Sequence, residues 1–101
     1  MTLKRFDNII IGSGQAAPFL AMRRAKQGET TALVERKALG GTCVNTGCTP
    51  TKTLRKSARV AFIARRAAEF GVNTGEVTID FSRAMARMRR RAAEARAGLE
   101  S

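Results

Sequence analysis

Two cysteines, Cys43 and Cys48, are separated by four residues in a chain without histidine. That spacing matches neither a C-x-x-C redox motif nor a zinc knuckle, and a closed zinc site would need ligands from elsewhere. A disulfide between them is geometrically open, but not within one straight helix. Residues five apart in a helix rise about 7.5 Å and point to different faces, whereas bridged Cα atoms sit roughly 4.4–6.8 Å apart. Cys43 is therefore expected on a loop just before a helix, with Cys48 in that helix's first turn. There the positive end of the helix dipole favours the thiolate, the form that reacts.

A second chemical feature lies upstream. Gly12-Ser13-Gly14-Gln15-Ala16-Ala17 fits the dinucleotide-binding fingerprint with Ala in the third position. Gly12 permits the tight turn, Gly14 lets backbone approach a pyrophosphate, and the small Ala17 allows a helix to pack close to a strand. The helix that follows offers free N–H groups and a positive dipole end to phosphates. Glu35 stands about 20 residues further on, where an acid receives ribose hydroxyls. An acid there favours an unphosphorylated adenosine ribose, hence FAD or NAD over NADP. Glycines also punctuate ordinary loops, and an acid at a strand end is often only solvated. The order of strand, Gly turn, helix and strand-end acid decides for a nucleotide site.

The elements that must position these residues are legible in outline. Phe6 to Ile11 reads as a short, fully buried strand of the parallel kind. From Gln15 to Gln27 apolar residues recur at helical spacing, with Pro18 tolerated near the first turn and Gly28 as the stop. Thr30 to Glu35 is a second buried strand, which gives one right-handed parallel crossover. Lys37 to Gly47 reads as a loop. Cys48 to Phe70 is mostly helical, ending at Gly71, and Val77 to Phe81 is either a brief strand or the lead-in to a helix. Ser82 to Ala97 is helical with Ser82 as N-cap. Its apolar stripe of Ala84, Met85, Met88, Ala92 and Ala95 is expected to pack in a core rather than touch a cofactor. The fold class is α/β, a Rossmann-like βαβ unit followed by two helices. Two parallel strands make a poor sheet alone, since independent stability usually needs about three or more. Residues 1–101 are accordingly expected to be the N-terminal part of an incomplete domain.

The composition narrows the partners. With 101 residues, 44% apolar and 27% charged, the chain has the make-up of an ordinary globular protein. Its formal charge is +11, from 19 Lys and Arg against eight acids. A basic surface can meet nucleic acid or an anionic membrane. No aromatic residue interleaves with the clusters Arg65-Arg66 and Arg89-Arg90-Arg91, so stacking on bases has little support. Nucleic acid is not expected as a partner. No apolar run approaches the roughly 18–20 residues that span a bilayer, and Asp7 and Gly12 break the only N-terminal candidate, so no membrane or signal segment is expected. The expected compartment is cytoplasmic, where a close cysteine pair is more often catalytic or metal-binding than structural.

The segment Gly40-Gly41-Thr42-Cys43-Val44-Asn45-Thr46-Gly47-Cys48-Thr49-Pro50-Thr51-Lys52 resembles the active-site signature of class I pyridine nucleotide–disulfide oxidoreductases. This is the group of lipoamide dehydrogenase, glutathione reductase and mercuric reductase. The resemblance covers the whole chain, though only the first fifth to quarter of a typical member. It implies an FAD-binding fold and a redox-active disulfide, Cys43–Cys48. Cys48 would be the thiol next to the flavin, and Cys43 the one that meets substrate. Thr42 and Lys52 would contact FAD, with Lys52 near the flavin ring. Gly12, Gly14 and Ala17 would lie at the pyrophosphate and Glu35 at the adenosine ribose. NAD(P)H would reduce FAD, FAD the disulfide, and the thiols a small-molecule disulfide by exchange or a mercuric ion held by soft thiolates. Thr46 and Thr49-Pro50-Thr51 depart from the best-known members and look more similar to mercuric-reductase-like chains. The NAD(P)H domain, the dimerisation domain of the homodimeric parent and the catalytic His–Glu pair are expected beyond residue 101. This stretch alone is thus expected neither to turn over nor to hold FAD tightly.

Two other readings accompany the enzyme. One is a stand-alone nucleotide-binding module with a redox-sensitive thiol pair and no catalysis. The other is a basic helical element that binds nucleic acid through Arg59, Arg65, Arg66 and Arg89–Arg91. The cysteine pair and the Gly turn speak against the latter, and length alone separates the first from the enzyme.

Overall fold

The computed structural model describes residues 2–101. Strand β1 (Asn8–Ile11), helix α1 (Ala16–Lys26) and strand β2 (Thr31–Val34) form the βαβ unit, followed by helices α2 (Gly41–Asn45), α3 (Cys48–Arg65) and α4 (Phe81–Glu100). The strands pair in parallel, with Asn8 opposite Thr31 and Ile11 opposite Val34. At their start Asp7 and Thr30 clasp each other. The Asp7 carboxylate accepts from Thr30 N at 2.7 Å and from Thr30 Oγ1 at 2.8 Å, while Asp7 N donates to Thr30 Oγ1 at 3.0 Å. At the other end Gly12 N donates to Val34 O at 2.8 Å, carrying the ladder into the Gly turn.

The strands are shorter and more open than the sequence predicts. Ile9 and Ile11 are 63% and 88% exposed, and Val34 is exposed as well. A parallel strand reads as continuously apolar because a full α/β sheet is covered on both faces. Here α1 packs on the strand pair, and within residues 2–101 alternate residues of β1 stay open. The buried residues among those described are small: Ser13, Ala17, Gly40, Val44, Pro50, Thr53, Ala67 and Ala92.

Two boundaries differ from expectation for local reasons. The segment expected as a loop, Lys37 to Gly47, contains the short helix α2. Asn45 Nδ2 donates to the carbonyls of Leu39 and Gly41, both at 2.9 Å, and Thr46 N to Thr42 O, also at 2.9 Å, which close the turn. Helix α4 is capped by Asp80 rather than Ser82: Asp80 Oδ1 accepts from Arg83 N at 3.0 Å. Both residues are good caps, but only Asp80 has a donor in register, so Ser82 lies inside the first turn and Val77–Asp80 is the lead-in. Helix α3 ends as expected, in a 3₁₀ turn (Ala67–Phe70) stopped by Gly71 at φ +76°.

Helix α4 runs back along α3. Arg87 Nη1 donates to Thr53 O at 3.1 Å and Arg96 Nη1 to Asn45 Oδ1 at 2.9 Å, so rising numbers in α4 meet falling numbers in α2 and α3. The hairpin extends the molecule to 67 × 27 × 18 Å. Its radius of gyration of 20.4 Å exceeds the ~13 Å of a compact chain this long. The remaining cations lie mostly on solvated faces; Arg66 stacks over the Phe62 ring at 5.2 Å and pairs with Glu69 at 2.7 Å. No helix among the described residues is long and apolar enough to cross a membrane.

Candidate functional site

The Gly turn is built for a close approach. Gly12 adopts φ +92°, and a side chain at Gly12 or Gly14 would meet nothing within 4 Å, so the space above the turn is open. The first turn of α1 carries no acid, which leaves the positive helix end unneutralised and suited to an anion. Ala17 is buried beneath it.

Ser13, between the two glycines, is the most buried polar residue at 1% exposure. Its Oγ donates to Glu35 Oε2 at 2.5 Å and accepts from Gly40 N at 3.1 Å. Its N donates to the same Glu35 oxygen at 3.0 Å, while Glu35 Oε1 accepts from Lys37 N at 3.1 Å. These bonds, the Ser13 hydroxyl above all, hold the Glu35 carboxyl down at about 2, against an ordinary value of 4.5. An ionised carboxylate has about four acceptor positions. Three are occupied, which leaves one for an arriving hydroxyl.

The cysteine segment is seated directly on this turn. Gly41, at φ +65°, lies so close that a Cβ there would sit 2.8 Å from Gly14 Cα. Cys43 is in α2, not on a plain loop as the spacing predicts, and Cys48 is the first residue of α3. The two are joined by a disulfide with Cα atoms 4.6 Å apart, inside the range the spacing argument required. Gly47 makes that approach possible, because a Cβ on it would lie 3.0 Å from Thr42 O and 3.2 Å from Cys43 Cα.

An open cleft of about 380 Å³ is lined by Glu35, Arg36, Lys37, Gly41, Thr42 and Asn45, among others. The fold therefore brings Gly12, Gly14, Ala17, Glu35, Thr42, Cys43 and Cys48 into one neighbourhood. Lys52 lies one helical turn beyond Cys48 and lines a separate basic cleft with Arg55, Lys56 and Arg59. Sequence reasoning passed over Ser13, Asn45 and Arg96. Ser13 carried the one available signal, a small hydroxyl between two glycines whose backbone must turn sharply.

Residues 6–97 match the pyridine nucleotide-disulphide oxidoreductase family, and the chain belongs to it. The family's enzymes use FAD with NAD(P)H, and the open Gly turn, the unneutralised helix end and the free acceptor position of Glu35 fit FAD. Among its relatives, the dihydrolipoyl dehydrogenase of Chlorobaculum parvum is 42% identical over 96 residues, covering 95% of this chain and 20% of that protein. The dihydrolipoyl dehydrogenase of Chlorobaculum tepidum is 45% identical over 85 residues, 84% of this chain and 18% of its own length. That of Bacillus subtilis is 43% identical over 82 residues, 81% and 17% respectively. The chain thus spans about a fifth of the length of these relatives. All three are dihydrolipoyl dehydrogenases, and the mercuric-reductase-like kinship expected from Thr46 and Thr49-Pro50-Thr51 finds no support in them.

Proposed function

We propose that this chain is the FAD-binding, disulfide-bearing part of an enzyme that oxidises a dihydrolipoyl-type dithiol. The observation that carries the reading is the Cys43–Cys48 disulfide resting on the dinucleotide turn through the Gly41–Gly14 contact and the Ser13–Gly40 hydrogen bond. In this reading Gly12, Gly14 and the α1 N-terminus receive the pyrophosphate. Glu35 takes a ribose hydroxyl in its free acceptor position, Ala17 keeps the helix close, and Thr42 lies along the cofactor. Lys52, on α3 beyond Cys48, supplies positive charge toward the flavin.

The exchange proceeds by thiolate attack. A substrate thiolate attacks Cys43 Sγ, the Cys43–Cys48 bond breaks, and Cys48 leaves as a thiolate. The second substrate thiol, deprotonated, attacks the mixed disulfide, and the substrate departs as its own disulfide while Cys43 leaves as a thiolate. Two electrons have then moved to the cysteine pair. FAD, when bound, supplies a two-electron acceptor for them. The chain has no histidine, so the proton acceptor, like the NAD(P)H-binding and dimer-forming parts, belongs to other segments of such an enzyme.

The test is a thiol count after anaerobic incubation of the chain with dihydrolipoamide. Two new thiols per chain are expected, and none in Cys43→Ser. A disulfide that ignores dihydrolipoamide would remove this reading and leave a nucleotide-binding module. Mercuric-dependent oxidation of NAD(P)H by the enzyme carrying this segment, faster than its lipoamide-dependent reaction, would put mercuric ion in the substrate's place.

A further inference from the structure

Four of the six arginines in α4, namely Arg83, Arg89, Arg90 and Arg91, are exposed, whereas Arg87 and Arg96 are half-buried and turn inward. They grip opposite sides of the disulfide. Arg87 holds the α3 backbone beyond Cys48, through Thr53 O at 3.1 Å and Ser57 Oγ at 3.4 Å. Arg96 holds the cysteine segment between the two sulfurs' residues: its Nη1 donates to Asn45 Oδ1 at 2.9 Å across 51 positions of sequence. Asn45 spends its amide on the carbonyls of Leu39 and Gly41 at 2.9 Å and, more weakly, Ala38 at 3.5 Å. Every polar atom of this side chain is therefore committed to fixing α2, the element that carries Cys43.

We propose that Arg96, acting through Asn45, is a positioning residue for the Cys43–Cys48 couple, holding α2 against α3 so that the sulfurs stay within bonding reach when the disulfide is open. The proposal rests on the redox reading of the pair given above. Reduction breaks the Cys43–Cys48 bond, adds two electrons and two protons, and frees α2 from its covalent tie to α3. What then limits the separation of the thiols is the polar clasp from α4 together with the packing of Val44. A pair held close re-forms its disulfide at high effective concentration, because the ends do not have to be gathered from a wider ensemble. Loosening the clasp therefore favours the dithiol. Arg87 gives its hydrogen bonds to α3, so it supports the hairpin without setting the distance between the sulfurs.

The experiment equilibrates the chain in glutathione buffers of graded ratio and traps the thiols, alongside a thermal melt of each variant. Arg96→Met keeps the aliphatic stem and removes the donors; it is expected to shift the equilibrium toward the dithiol about tenfold, ~30 mV for two electrons. Arg96→Lys, which can still donate to Asn45 Oδ1, restores most of the shift. Arg87→Met lowers the melting midpoint but leaves the equilibrium within about twofold of the unaltered chain. Should Arg96→Met fail to fold, Asn45→Asp keeps the acceptor for Arg96 while deleting the donations to Leu39 and Gly41, and the same tenfold shift is expected. An unchanged equilibrium in Arg96→Met or Asn45→Asp overturns the proposal, as does an equal shift in Arg87→Met. An unaltered chain that equilibrates with glutathione but not with dihydrolipoamide overturns the proposed function and leaves the positioning role to be judged on the variants.

Discussion

Replacing Gly41 by alanine tests the contact that joins the two halves of the site. Gly41 sits at φ +65°, and its missing Cβ would lie 2.8 Å from Gly14 Cα and 3.3 Å from Gly14 N. A left-handed conformation costs an L-residue roughly 1–2 kcal/mol. The steric part falls on backbone rather than on a side chain that can rotate away, and overpacking of that kind costs about 1–3 kcal/mol. The two together are ~2–5 kcal/mol, a large share of the ~5–15 kcal/mol that stabilises a typical domain. Urea denaturation followed by far-UV circular dichroism gives the difference directly. Gly98→Ala is the matched control. It lies within α4 with open space around it, so alanine there should stabilise by up to ~1 kcal/mol through helix propensity. Opposite signs for the same chemical change are the expected result. A Gly41→Ala midpoint equal to that of the unaltered chain would refute the close seating of the cysteine segment on the Gly turn.

Acid should loosen the chain through Glu35. Its folded-state value near 2 lies below the ordinary 4.5, so its contribution is present above pH 4.5 and lost as pH falls toward 2; the denaturation midpoint should drop across that window and be flatter in Glu35→Gln. Asp7, lowered by its bonds to Thr30, acts in the same direction, which Asp7→Asn isolates. Ser13→Ala leaves the Gly40 N–H without its acceptor and should cost about 1–3 kcal/mol in the same urea assay. Asp80→Ala should cost about 1 kcal/mol of α4 stability, while Ser82→Ala, which caps nothing, should be near neutral; thermal melts at 222 nm distinguish the two.

The parts of the site that were legible in the sequence are those where the backbone itself is constrained. Gly12, Gly14 and Ala17 announce a turn that no other residues make so well, and the Cys43–Cys48 spacing excludes a single helix by distance alone. The ends of α1 and α3 could be read because Gly28 and Gly71 stop a helix for reasons local to the chain. The burial of the strands was misjudged, since Ile9 and Ile11 state what a residue prefers to touch and not whether anything lies within reach. Asp80 and Ser82 are both competent caps two positions apart, and only the Arg83 N–H chooses between them. Ser13, Asn45 and Arg96 were invisible for another reason. Their partners lie 22, 27 and 51 positions away, and serine, asparagine and arginine are in sequence the residues of any wet surface.

The buried Ser13 hydroxyl has one proton and so imposes a direction. Gly40 N–H points to Ser13 Oγ, and Ser13 O–H points to the Glu35 carboxylate, a row of dipoles aligned head to tail and ending on a negative charge. Such rows polarise one another in a low-dielectric setting, so the strength of the bond at Gly40 depends on the electron density left on Glu35. That backbone amide lies three residues before Cys43. One buried hydroxyl thus ties the end of β2 to the backbone that leads into the cysteine segment, with the Gly turn between them.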